Sequence, residues 1–392
     1  TGHWQKGMAP RLSAIILAAG DSSRMGELKA ALPLGTATVL GQCCRLFRDA
    51  GLDELIVVTG HGAGTIAPIA LDAGARVAHN PDFATGMYSS IRAGVAQLSP
   101  ESEAFFLLPV DIPLVRSGTV GLLTKAFAAA PAQILYPVFI GRRGHPPLLG
   151  RAVCRAIRQH NQVDGGLRAI LAGLETENPG MVCDVQVADG NIHIDMDRPD
   201  EYISGCLRFH ERGYPTREEC EAIVQHLHPL PPKGLAHGQM VAAVAVALCE
   251  AVSRTSRREC NPELCWAGGL LHDIAKGHPW HEEEGARLLR TLGFDQVAAI
   301  VAAHKDLDWQ PGMAINEKEL VHLADKLVRG SRPVALTERF EEKLRLFKDD
   351  PAAVAAITLR YNLARELAAA VENEAGALLT ALVEQATAAC VP

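Results

Sequence analysis

The sequence predicts two differently built halves, an α/β domain with a mainly parallel sheet followed by an all-α domain. Three observations carry this expectation. Short apolar runs alternate with helical stretches up to about residue 200, prolines cluster at Pro215, Pro229, Pro231 and Pro232, and the chain beyond them has helical periodicity almost throughout. At 392 residues the chain is long for one domain and sufficient for two, each with its own core.

In the first half, Ser13–Ala18 reads as a buried strand, Thr38–Ala50 as a helix, Leu55–Thr59 as a second strand and Ala104–Leu108 as a third. Strands separated by helices form parallel sheets covered on both faces, and such sheets bind ligands beyond the carboxyl ends of their strands. The second half offers helices at Gly238–Val252, Cys265–Leu271, His281–Leu292, Val297–His304 and Glu317–Val328, then an Ala-, Leu- and Glu-rich stretch from Ala335 to about Ala389. The expected divisions are a lead-in over 1–11, an α/β domain over 12–205, a linker and first helix over 206–235, and a helical domain over 236–392. The opening TGHWQKGMAP lacks the apolar region of a signal peptide.

Composition narrows the function classes. Hydrophobic residues make up 48% and charged residues 21%, ordinary for a globular chain. A formal charge of -7 supplies no bulk field for nucleic acid. The ten cysteines contain no C-x-x-C pair, which fits reduced thiols and a cytoplasmic location. The longest apolar stretches, such as Val241–Cys249, are too short to cross a bilayer.

The strand ending at Leu17 runs into Ala18, Ala19, Gly20, Asp21, Ser22, Ser23, Arg24, Met25 and Gly26, with Lys29 three residues on. Small residues admit a phosphate close to the backbone, exposed N–H groups cradle it, and Arg24 and Lys29 supply countercharge. The P-loop ending G-K-[ST] and the dinucleotide fingerprint G-x-G-x-x-G are both missing.

The string L-A-A-G-x-S-x-R-M-G-x-x-K resembles the signature of the nucleotidyltransferases typified by the molybdenum-cofactor guanylyl- and cytidylyltransferases. Further strings are similar in order: Leu108-Pro109-Val110-Asp111, Asp195-Met196-Asp197, Asn80 to Ser90 (N-P-D-F-A-T-G-M-Y-S-S), Gly144-His145-Pro146-Pro147 and Asp164-Gly165-Gly166-Leu167-Arg168. The last three, with Ala18-Ala19-Gly20, resemble the cytidylyl branch. Val163 stands where that branch usually has glycine.

The resemblance implies a Rossmann-like nucleotidyltransferase fold that transfers a cytidylyl group from CTP to molybdopterin and releases pyrophosphate. It implies nucleotide contacts from Leu17, Ala18, Ala19, Gly20, Arg24, Lys29, Asn80, Gly86 and Ser89, with Arg24, Lys29 and Asp111 acting catalytically. By the same resemblance Asp111 with Asp195 or Asp197 holds Mg²⁺, and His145 and Asp164 meet the acceptor. A molybdoenzyme or its maturation chaperone is the protein partner it implies. A sugar or polyol phosphate is the alternative acceptor, since the same loop serves many.

In the second half, His272 and Asp273 end an apolar helix, where two adjacent polar groups cannot both be buried cheaply without partners. Leu270-Leu271-His272-Asp273-Ile274-Ala275-Lys276 and Ala324-Asp325-Lys326-Leu327 resemble the core of the HD phosphohydrolase superfamily. That resemblance implies one metal held by His237, His272, Asp273 and Asp325. It implies a second held through His281 and His304 with Asp273 bridging, and Lys276 placed on the phosphate. The ligand chemistry suits one or two divalent transition metals: Mn, Fe, Co, Ni or Zn. A nucleotide sensor without turnover is the alternative. His322 lies on the same helical face as Asp325, and Cys260 and Cys265 read as core thiols.

Overall fold

Apolar side chains at nearly every position of Leu12–Ala18 leave neither face of that strand fit for water, so it lies in the middle of a sheet with all but its first residue buried. The computed structural model describes residues 10–20, 25–129, 132–256 and 259–389. The chain divides into two compact units after Arg212.

The strands of the first unit are β1 (Leu12–Ala18), β2 (Pro33–Leu34), β3 (Ala37–Thr38), β4 (Glu54–Thr59), β5 (Arg76–His79), β6 (Ala104–Pro109), β7 (Ile134–Phe139), β8 (Arg142–Arg143), β9 (Leu148–Gly150) and β10 (Val182–Gln186). The main sheet runs β10-β7-β9-β6-β1-β4-β5, with β8 paired to β7. Pairing is parallel from β6 through β1 and β4 to β5, and between β7 and β10. β9 enters antiparallel to both β6 and β7, which the short run Leu148–Gly150 does not announce in the sequence.

The helices of this unit are α1 (Val39–Asp49), α2 (Ala63–Asp72), α3 (Met87–Ala96), α4 (Ser117–Ala129), α5 (Arg151–Gln159), α6 (Gly166–Glu177) and α7 (Pro199–Glu211). Strand alternation sends Ile15, Leu17, Phe105 and Leu107 to one face, where Ile91, Val95, Val153 and Ile157 of α3 and α5 bury them. On the other face Phe106 meets Phe47 of α1 at a ring separation of 5.6 Å. Tyr202, Cys206 and Phe209 place α7 against Leu34, Leu114 and Met196, so this helix belongs to the first unit.

The second unit comprises α8 (Arg217–Ala222), α9 (Pro232–Ser256), α10 (Pro262–Leu271), α11 (His281–Leu292), α12 (Asp295–Ala303), α13 (Glu317–Lys326), the hairpin β11 (Val328–Arg329) and β12 (Arg332–Pro333), then α14 (Leu336–Leu346), α15 (Pro351–Ala375) and α16 (Leu379–Ala389). The expected helix from Gly238 begins six residues earlier, because Pro232 suits a first helical turn, where its missing N–H costs nothing. At 25 residues α9 is long and apolar enough to cross a membrane by length and composition; here it packs against α10, α13, α15 and α16. Asn261 caps α10 by accepting from the N–H groups of Glu263 and Leu264. The expected helix Glu317–Val328 stops at Lys326, and the chain then turns through Gly330 at φ 58° into the hairpin.

Two glycines set the α9–α10 crossing. A Cβ on Gly269 would lie 2.5 Å from Ala242 Cα, and one on Gly238 would lie 2.6 Å from the Leu270 carbonyl oxygen. Those distances allow only hydrogen, so the two backbones touch, and the end of α10 is fixed beside His237.

Candidate active sites

The first site lies where the sheet's fold class places it, beyond the carboxyl ends of β1 and β6. A cavity of about 270 Å³ is lined by Leu17, Ala18, Ala19, Gly20, Lys29 and Asp111, among others. Arg24, with Asp21, Ser22 and Ser23, falls outside the described residues. Lys29 Nζ stands 2.5 Å from Asp197 Oδ1 and 3.6 Å from Asp111 Oδ2, so one ammonium serves both carboxyl groups. Burial pushes the Asp111 carboxyl above its ordinary value and the Asp197 carboxylate adds to this, with Lys29 opposing. Two oxygen-donor groups held together at that cost suit a hard cation that takes its remaining ligands from phosphate, as Mg²⁺ does. Asp195 is exposed, and the Asp111–Lys29 cluster draws its second carboxylate from Asp197.

Asn80 and Ser89 bond to one another within the loop that follows β5. The buried Asn80 amide donates to the hydroxyls of Ser89 (2.8 Å) and Ser90 (3.0 Å), and its oxygen accepts from Asp82 N. These bonds brace the 80–90 loop, whose Phe83, Met87 and Ser90 line the cavity. Gly86, at φ 116°, opens α3 and lines a second, larger cavity of about 1060 Å³ that shares Leu17, Met87 and Pro109 with the first.

His145 lines this larger cavity; its Nδ1 is buried without a hydrogen-bond partner among the described residues, and burial lowers its pKa, so it is a neutral imidazole. Asp164 is exposed, while Val163, Gly165 and Arg168 line the cavity. Residues that sequence reasoning missed here are Tyr136 and Arg143. The Arg143 guanidinium lies 4.5 Å over the Tyr136 ring and is held by Asp184 at 2.7 Å and Glu175 at 3.3 Å. The two-residue strand β8 that delivers Arg143 has no periodic signal in the sequence.

The second site brings together all six residues expected of it. Asp273 Oδ2 lies 3.5 Å from His272 Nε2 and 3.9 Å from His237 Nε2. Its other oxygen, Oδ1, lies 3.7 Å from both His281 Nε2 and His304 Nε2. Two donor groups result, His237–His272–Asp273 and Asp273–His281–His304, joined by the one carboxylate. Asp325 Oδ1 closes the first group at 3.4 Å from His237 Nε2 and 3.7 Å from His272 Nε2.

The protonation of these rings follows from their backbone contacts. Nδ1 of His237, His272 and His304 lies 2.8, 2.7 and 2.7 Å from the carbonyl oxygens of Gly330, Gly269 and Val301. A carbonyl only accepts, so each Nδ1 carries the proton and each Nε2 presents its lone pair inward. Burial lowers the His272 pKa to about 4 and depresses that of His304, which keeps both rings neutral. Burial would raise Asp325, but Lys326, His237, His272 and Arg339 hold it well below the usual carboxylate range. Asp273 is likewise held down against its burial, by His272 and Lys276. The buried His272 Nε2 has no hydrogen-bond partner among the described residues, and a metal ion would supply what it lacks. Imidazole nitrogens mixed with carboxylates fit the divalent transition metals.

Lys276 forms an ion pair with Asp273. The buried His322 stands outside both donor groups; burial and then Lys326 lower its pKa to about 3. Residues missed by sequence reasoning are Arg329 and Arg339, carried by the hairpin and by α14. Arg339 donates to Asp325 Oδ1 at 3.2 Å and to the Val328 carbonyl. Cys265 is a buried thiol as expected, and Cys260 is partly buried.

Comparison with known proteins agrees with this division. Residues 14–178 match the MobA-like NTP transferase domain, and residues 234–330 match the HD domain. The molybdenum cofactor cytidylyltransferase of Escherichia coli (strain K12) is 28% identical over 201 residues, which are 51% of this chain and 98% of that protein. The nicotine blue oxidoreductase of Paenarthrobacter nicotinovorans is 27% identical over 199 residues, 49% of this chain and 95% of that protein. Among solved structures, a nucleotidyl transferase from Methanothermobacter thermautotroptrophicus is 22% identical with a TM-score of 0.44, covering 51% of this chain and 98% of its own.

Proposed function

For a chain that carries a MobA-like NTP transferase domain followed by an HD domain, we propose two activities: cytidylyl transfer from CTP to molybdopterin in the first unit, and metal-dependent phosphohydrolysis in the second. The observation that carries the first is the pair of adjoining cavities. The smaller is lined by Leu17–Gly20, Lys29 and Asp111, and it shares Leu17, Met87 and Pro109 with the larger one, which His145 lines. A triphosphate fits the first and an acceptor the second, with the α-phosphorus at their junction. The 28% identity to a cytidylyltransferase supports CTP as donor.

In this reading Asp111 and Asp197 hold Mg²⁺, which supplies charge neutralisation to the triphosphate when bound. Lys29 swings its ammonium from Asp197 to the phosphates, and the Ala18–Gly20 backbone N–H groups cradle them. The acceptor's phosphate oxygen then bonds to the α-phosphorus as the bond to pyrophosphate breaks. Neutral His145 accepts or donates one hydrogen bond to the acceptor, and the exposed Asp164 lies at the rim. Incubating the chain with CTP or GTP and molybdopterin, and following pyrophosphate and the pterin nucleotide, tests this. Turnover with a sugar phosphate and none with molybdopterin would reject the acceptor, and a preference for GTP would reject the donor.

In the second unit, His237, His272, Asp273 and Asp325 would hold one ion, and His281 and His304, with Asp273 shared, a second. Such a pair supplies an activated water and a clamp on a phosphoryl group. Lys276 stands ready to leave Asp273 for a phosphate oxygen. Metal analysis of the purified chain checks this; no bound transition metal and no phosphatase activity would favour a nucleotide sensor.

A further inference from the structure

A cavity of about 460 Å³ opens beside the second site, and its walls are charged in one sense. His237, a member of the first donor group, is part of the lining, as is Gly330, whose carbonyl fixes that histidine. Lys276, the partner of the shared Asp273, lines it too, so the cavity adjoins the His/Asp cluster on two sides. Around it stand Lys233, Arg329, Arg339 and Lys343, which with Lys276 make five cationic side chains against the single carboxylate of Glu342.

Lys233 and Gly234 belong to the first turn of α9, whose N–H groups lack acceptors within the helix. A cation there opposes the helix dipole, a cost that a bound anion reverses. Arg329 and Arg339 are held in place by Glu342 at 2.6 Å and Asp325 at 3.2 Å, which presets their direction. Among the described residues that line the cavity, the only aromatic ring is His237, which turns its Nε2 to the donor group, and none has an amide side chain to read a base.

We propose that this cavity binds the second phosphoryl group of a phosphoanhydride, so that the HD unit cleaves a P–O–P linkage with one phosphoryl group at the His/Asp cluster and its neighbour among Lys233, Arg329 and Lys343. This rests on the phosphohydrolase reading above. The substrate is either inorganic pyrophosphate, which nucleotidyl transfer in the first unit would release, or the phosphate tail of a nucleoside triphosphate. Recognition ends at the phosphates, so the identity of any base is not read. In the step itself a water oxygen bonds to the phosphorus at the cluster, and the bond from that phosphorus to the bridging oxygen breaks. The bridging oxygen leaves on the second phosphoryl group. Hydrogen pyrophosphate and water thus give two hydrogen phosphates and one proton, released to solvent. Negative charge grows on the leaving oxygen, where the cations are already oriented.

The test uses the full chain loaded with Mn²⁺ in a D111N background, which removes turnover by the first unit. Phosphate release is followed from pyrophosphate, CTP, GTP and CMP, p-nitrophenol release from bis(p-nitrophenyl) phosphate, and binding of imidodiphosphate is measured by calorimetry. Pyrophosphate or both triphosphates should be cleaved, the triphosphates equally well, and CMP and the diester at least about tenfold more slowly. R329M and K343M, on different elements, should each raise KM and weaken imidodiphosphate binding by about tenfold, the worth of one charge-assisted hydrogen bond. Their manganese content and thermal midpoint should not change. Cleavage of pyrophosphate alone identifies the inorganic source; cleavage of the triphosphates alone identifies the nucleotide tail. Turnover confined to CMP or the diester, or variants with unaltered KM and binding, would overturn the inference and leave the phosphohydrolase reading standing. Hydrolysis of none of these compounds would remove that reading as well.

Discussion

Asp273 directs one oxygen at His237 and His272 and the other at His281 and His304. A side chain shared in this way cannot be replaced by one that serves a single ion. D273N keeps the shape but removes the charge and turns one oxygen into a donor, so metal content should fall from two ions per chain towards none. Hydrolysis should fall by more than the roughly 10–100-fold typical of outer-shell changes. Elemental analysis and phosphate release measure the two losses, and retention of two ions would contradict the assignment. His272 and His322 carry a second consequence at this scale. Their pKa values in the fold, about 4 and about 3, lie below the 6.5 of a free imidazole. The unfolded chain therefore binds more protons between those values, and stability of the metal-free protein falls as pH drops below 6.5. The loss is on the order of 3 kcal/mol per histidine by pH 4.5. In urea unfolding of the chelator-treated chain, H322Q should show a shallower fall than the parent. Parallel pH profiles would count against a neutral buried His322.

At the scale of elements, the α9–α10 crossing carries both His237 and the His272–Asp273 pair. Because Gly269 meets the Ala242 backbone, G269A must push the helices apart, at a cost of about 1–3 kcal/mol for overpacking. Separating them also withdraws His272 from His237, so the variant should lose metal affinity together with thermal stability. A variant with a lowered midpoint and intact metal content would show that the crossing does not position the ligands. Elements with strong periodicity were legible in the sequence. His281–Leu292 is seen as expected, and β1, β4 and β6 differ from expectation by a residue at one end. What escaped was short or context-made: β8, β9 and the β11–β12 hairpin have two or three residues each, too few for a period to register. The same brevity hid Arg143 and Arg329, whose roles come from the strands that deliver them. The six His and Asp positions were legible because their spacing resembles a known pattern, whereas the bracing role of Asn80 depends on hydroxyls nine and ten residues away.

For the whole molecule, each unit holds its own proposed site, with Asp111, Asp197 and Lys29 before residue 212 and the His/Asp cluster after it. D111N should therefore abolish pyrophosphate formation from CTP and leave Mn²⁺ content unchanged, while D273N should do the reverse. Loss of both properties in either variant would refute independent sites. Chelation should likewise act on one unit. At ion concentrations near 100 times Kd a bound metal adds about 2.7 kcal/mol to the state that holds it. In calorimetry, a transition-metal chelator should lower one unfolding transition and spare the other.

His237 receives its fixed orientation from the carbonyl of Gly330, ninety-three positions further along the chain. During synthesis the histidine leaves the ribosome long before its anchor exists. Until the hairpin has emerged and folded back, the ring is free to rotate and Asp325 is missing or unplaced, so the donor group of His237, His272, Asp273 and Asp325 is incomplete in a nascent chain. Completion of that group would thereby wait for residue 330, and a polypeptide stalled short of it would lack the full donor set proposed for the first ion.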